Sequence, residues 1–180
     1  VLTAGYDIYP ANLDRDSIVN IVIKGEQSLP ANIQLLLNKN TLSESDFSFM
    51  QQEIVASHCN MLDLESASGM VLGQRVRDAV MATALVSNKN DDIAILIAGS
   101  GHTRNDRVVP NYIQQMDSDA KILSLAWMEV DRDTNDIEKY AKQWSAKQLP
   151  FDYVWFTAAL DRPDPCEEMK QYMKHHKKSS

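Results

Sequence analysis

The stretch AILIAGSGHTRNDRVVP, residues 94–110, runs from an unbroken apolar segment through two glycines and a histidine into a burst of charge that ends at Pro110. Five consecutive apolar residues without alternation predict a central strand covered on both faces, the mark of a parallel sheet. A glycine-rich turn after such a strand is expected at the carboxyl edge of the sheet, where open α/β folds bind ligands. Gly99 and Gly101 allow close backbone approach there, and they place His102 at the edge.

Working outward from this stretch, three more segments read as strands. YDIYPAN (6–12), AKILSLAWMEV (120–130) and FDYVWFTA (151–158) join DIAILIAG (92–99) in being apolar and rich in β-branched or aromatic residues. Helical patterns lie between them at 15–24, 31–38, 44–60, 69–88, 109–116, 133–146 and 164–176. Ser43 with a downstream acid marks one helix start, and acids followed by lysine mark another at 133–146. Strands alternating with helices predict an α/β fold, a mostly parallel sheet flanked by helices. The span 25–68 lacks a strand and is expected to form a small helical subdomain inserted after the first strand. The whole of 1–180 then reads as one α/β domain, incomplete at its N-terminus.

The length and the 44% hydrophobic content suffice for a buried core. A formal charge of −7 argues against nucleic acid as partner, because phosphate binding needs clustered cations. The one basic run, KHHKK at 174–178, reads as a solvated terminus or a binding arm. No stretch is long and apolar enough to span a membrane. The chain begins with Val1 rather than Met, so a missing signal peptide carries no information.

The stretch at 94–110 excludes several motifs. A dinucleotide loop would need a glycine where Arg104 stands and a helix opening before Pro110. A phosphate-binding P-loop would need Gly-Lys-Ser/Thr, and a nucleophile elbow would frame Ser100 differently. What remains is an imidazole flanked by Arg104, Asp106 and Arg107. Imidazole serves as metal ligand or base, and arginines suit carboxylates or propionates. The other reading is a histidine that only caps a loop.

On the helix at 69–88, Leu72, Val76, Ala79, Val80 and Thr83 form an apolar face, whereas Gln74, Arg77, Asp78 and Met81 form an opposite stripe. That stripe is either solvated or a polar patch facing a cavity, where Asp78 or Gln74 orients another group. His58 follows Phe47, Met50 and Ile54 at helical spacing and reads as a satisfied core histidine or a ligand. Cys59 and Cys166 are either two buried thiols or one long-range disulfide of an exported protein. Closing so long a loop would stabilise the fold by about 4 to 5 kcal/mol in the chain-entropy picture. Neither belongs to a Cys-x-x-Cys pair, which argues against a zinc ribbon.

SHCNML (57–62), GQRVRDAVMA (73–82), IAGSGHTRNDRVVP (97–110), MEVD (128–131), FDYVWFTA (151–158) and RPDPC (162–166) together resemble the ChaN-like haem-binding lipoproteins of Gram-negative bacteria. YPANLDR (9–15) fits an early segment of that family, and the resemblance covers nearly the whole chain. It implies haem as cofactor, export to the periplasm or outer membrane under a lipid anchor, and a role in iron acquisition beside an outer-membrane haem receptor system. The family's strand with a Gly-Glu-x-His motif is not matched, so this chain reads as the C-terminal part of the family domain. An incomplete sheet with an open edge would favour a homodimer. The family's motifs carry over His102, Arg77, Asp78, Asn12 and Arg15.

The expected function is therefore haem binding in the cell envelope, for haem or iron uptake or storage. His102 or Tyr112 would be the axial ligand, Met81 part of the slot, and Arg104 or Arg107 the propionate partners. Attachment would be non-covalent, since Cys-x-x-Cys-His is absent. Two alternatives stand beside it: a metal-dependent hydrolase using the Gly-x-x-His motif, and an α/β interaction module without a small ligand.

Overall fold

In the computed structural model, residues 5, 7–89, 93–134 and 136–176 are described. Eight α-helices and two strands are found among them: α1 (Arg15–Lys24), α2 (Ala31–Lys39), α3 (Glu44–Ser57), α4 (Leu64–Asn88), α5 (Ser100–Thr103), α6 (Val109–Met116), β1 (Leu125–Glu129), α7 (Ile137–Gln143), β2 (Tyr153–Thr157) and α8 (Pro165–His176). Helix bounds follow local chemistry closely. Asp14 caps α1 by accepting from the Ser17 amide, and Ser43 caps α3 by accepting from the Asp46 amide. Pro110 sits in the first turn of α6, where its missing N–H costs nothing.

The 25-residue helix α4 organises the fold. Asp63 caps it, and it is buried on several sides through Ala67, Val71, Val76, Ala79, Met81 and Ala82. Met50 and Ile54 of α3 pack against Ala67 and Val71. Leu37 of α2 and Val109, Tyr112 and Ile113 of α6 join Val76, Ala79 and Ala82 in the main core. Helix α1 approaches closely because Gly69 and Gly73 lack side chains: a Cβ at Gly69 would stand 2.9 Å from Val22 Cγ1. Residues 25–68 contain helices and turns and no strand.

The described sheet has two strands, β1 and β2, paired parallel with Trp127 opposite Trp155. A mostly parallel sheet is thus too broad a description; the fold is mixed, with helices around a small parallel pair. The segment 93–99 is extended but forms no strand. It is covered on one side: Leu96 and Ala98 pack on the core, whereas Ile93, Ile95 and Ile97 are exposed. Its unbroken apolarity conceals a period of two, because both faces are apolar and one has no partner among the described residues. Nor do residues 7–12 form a strand; Pro10 cannot donate to a ladder, and Ile8 and Tyr9 are exposed. Among the described residues, no strand therefore precedes the helical span 25–68. Tyr6, Asp92 and the last two residues of KHHKK lie outside the described residues.

Cys59 and Cys166 form a disulfide, with Cα atoms 5.4 Å apart, joining the end of α3 to the first turn of α8. His58 is the C-cap of α3, half-buried, with Nδ1 2.7 Å from the Ile54 carbonyl oxygen. It is satisfied, as expected, but it lies at the helix end rather than in the core. Phe47 and Met61, on the same spacing, are exposed.

Candidate ligand-binding site at His102

The turn after residue 99 folds into the single turn α5, whose His102 amide donates to the Gly99 carbonyl at 2.9 Å. A helix thus opens before Pro110, although four residues are too few for the dinucleotide role already excluded. The turn also lies at the amino end of the strand pair, not at its carboxyl edge. Ser124, just before β1, donates its hydroxyl to the Thr103 carbonyl, and the Asn105 amide donates to Pro150, just before β2.

His102 Nδ1 stands 2.6 Å from Oδ1 of Asp78. Asp78 lies in the middle of α4 and is 1% exposed; Asp78 and Met81 are buried, whereas Gln74 and Arg77 of the same stripe are half-buried. Burial pushes the Asp78 carboxyl above its ordinary range, and the hydrogen bond and charge of His102 oppose that rise. The imidazole is 19% exposed. Its Nε2 has no hydrogen-bond partner among the described residues. A carboxylate fixes the tautomer and orientation of the ring and leaves the outer nitrogen for a ligand or a proton.

The other candidates divide into three groups. Arg104 and Arg107 are both buried and both engaged. Arg104 grips Asp106 through Nε and Nη2 at 2.6 and 2.7 Å and donates to the Trp144 carbonyl at 3.0 Å. Arg107 lies 3.5 Å from Asp46 and 3.4 Å from Glu53, with its guanidinium 4.7 Å from the centre of the Phe49 ring. Burial and the neighbouring Arg104 lower the Arg107 pKa, while burial raises that of Glu53. These arginines hold α3, the 104–108 loop and the end of α7 together.

Tyr112 and Met81 are core residues. Tyr112 is 3% exposed, and burial pushes its pKa up to about 12, with its hydroxyl meeting Arg75. Arg77, Arg15 and Asn12 form the third group, at or near the surface. Arg77 and Arg15 have no acid partner among the described residues, and Asn12 accepts from the Leu13 amide.

Two features escape sequence reasoning. Arg75 bridges elements, donating to the Leu37 and Asn40 carbonyls at 2.8 and 2.9 Å, and it lines a cleft of about 100 Å³ with Asp78, Arg107 and Tyr112. Val108 holds φ 65°, ψ −136°, an unfavourable conformation for a β-branched residue, beside that cleft. No spacing signal marks Arg75, whose partners are distant in sequence. Among the described residues no three His, Cys, Asp or Glu side chains come together to hold a metal ion.

The sequence model of a family described as haem-binding uptake, Tiki superfamily, ChaN, matches residues 1–113, a span that includes Asp78, His102 and Tyr112. No curated protein and no solved structure matches the chain.

Proposed function

The chain belongs to the ChaN family of haem-binding uptake proteins in the Tiki superfamily, and from that premise we propose that it binds haem through Nε2 of His102 and serves haem or iron uptake. The observation that carries this reading is the hold on the imidazole: Nδ1 is bound by the buried Asp78, and the ring remains 19% exposed. When bound, haem supplies an iron that accepts one more nitrogen and two propionates that seek cations.

The residues present fit such a group at the ligand position. A carboxylate behind an imidazole raises its basicity and orients it, the usual support of a metal-bound histidine. The arginines first expected to meet the propionates are occupied by Asp106, Asp46 and Glu53. Arg77, next to Asp78 on α4, has no acid partner among the described residues and is the better candidate. Tyr112 is a weaker axial ligand than His102, because its hydroxyl is buried and stays protonated at neutral pH. The Cys59–Cys166 disulfide favours an oxidising compartment and hence the cell envelope.

Titration of the purified chain with haemin tests the proposal. A saturable Soret shift at one haem per chain is expected; a spectrum that only tracks free haemin would refute it.

A further inference from the structure

Val108 stands at a corner that a valine resists. Its φ of 65° and ψ of −136° lie close to the first central position of a type II′ turn, about 60° and −120°, where glycine is the usual occupant. The branched Cβ makes that conformation costly. The hydrogen bond that could offset the cost is missing: a turn starting at Arg107 would be closed by the N–H of its fourth residue, and that residue is Pro110. The corner is therefore held by what lies on either side of it.

Both sides are anchored. Before the corner, Arg104 grips Asp106, and the Asn105 amide donates to the Pro150 carbonyl at 2.8 Å. After it, Val109 is 2% exposed in the main core. Between these anchors lie only Arg107 and Val108, and Arg107 docks on α3. Its side chain meets Asp46 and Glu53 at 3.5 and 3.4 Å, the long limit of a hydrogen bond, with Phe49 against the guanidinium. Both acids are nearly half exposed, so charge and the aromatic ring hold Arg107 without a tight bond. Arg107 and Val108 line the small polar cleft together with Asp46 and Met50 of α3 and Arg75 and Asp78 of α4.

We propose that Arg107 and Val108 form a strained latch: docking of Arg107 on α3 keeps Val108 in its disfavoured conformation, and undocking lets the corner relax and opens the cleft toward Asp78. Haem binding plays no part in it. The amides of Asn111 and Tyr112 report the latch directly, because both donate to the Val108 carbonyl, at 3.0 and 3.3 Å. Relaxation of the corner turns that carbonyl and releases both amides to exchange.

Amide exchange of the whole chain, resolved by residue, tests the latch in Arg107→Gln, Val108→Gly and the double variant, with the Ala79 and Ala82 amides of α4 as internal reference. Arg107→Gln is expected to speed exchange at Asn111 and Tyr112 about tenfold while the reference amides keep their rates. Val108→Gly, which occupies the corner without strain, is expected to slow exchange at the two reporters and to cancel the tenfold rise in the double variant. A tenfold rise that persists in the double variant overturns the proposal, because strain would then not drive the release. So do reporter rates unchanged by Arg107→Gln, faster exchange in Val108→Gly, and a rise shared equally by Ala79 and Ala82.

Discussion

The Nδ1 atom of His102 lies 2.6 Å from Oδ1 of Asp78, a carboxylate 1% exposed at the middle of α4. The pair joins the short turn α5 to the central helix and fixes the orientation of the ring. A buried acid is costly unless it is hydrogen-bonded, so the pair also constrains where α5 can sit.

Asp78→Asn retains the shape of the side chain and removes its charge. Haemin affinity is expected to fall by about 10- to 100-fold, the usual effect of losing the group behind a ligating histidine. The Soret position should persist, since His102 itself remains. Equilibrium titration checks this, and an affinity equal to the wild type's would show that the carboxylate does not support the ring.

Tyr112 predicts a loss of stability at alkaline pH. Its folded pKa of about 12 lies above the ordinary value of 10.0, so the folded chain holds the proton more tightly than the unfolded chain. This contribution is fully present below pH 10 and is lost as pH rises through about 12, on the order of 2 kcal/mol in total. Urea unfolding across that range should show the fall in wild type and a smaller fall in Tyr112→Phe. Identical slopes would place the hydroxyl in water.

The disulfide predicts a local effect of reduction. Apart from Cys166, the side chains described in α8 are exposed, so the bond from Cys59 is a principal tether of that helix. Reduction, or Cys59→Ser, is expected to speed amide exchange across 165–176 while α4 stays protected. Exchange in α8 that ignores the reductant would mean that other contacts hold it.

Much of the helical framework is legible in the sequence. Helices α1 and α6 begin and end where periodicity, caps and Pro110 place them, and β2 lies within its apolar run. The segment 93–99 is not legible in the same way, because an apolar run records a preference for burial and cannot say whether neighbours exist on both faces. Asp78 and His102 stand out individually, one from a helical stripe and the other from a glycine-rich turn. That Arg107 is engaged by Asp46 and Glu53 is invisible locally: both acids lie on α3, more than one element away. The same holds for Arg75, whose partners are carbonyls of α2 and its C-cap.

The most direct test of the account is the Soret spectrum of His102→Ala at one haemin per chain, with and without added imidazole. The account predicts that the variant loses the saturable band, that free imidazole restores it, and that Tyr112→Phe retains it throughout. A His102→Ala spectrum identical to the wild type's would contradict it and move the ligand elsewhere.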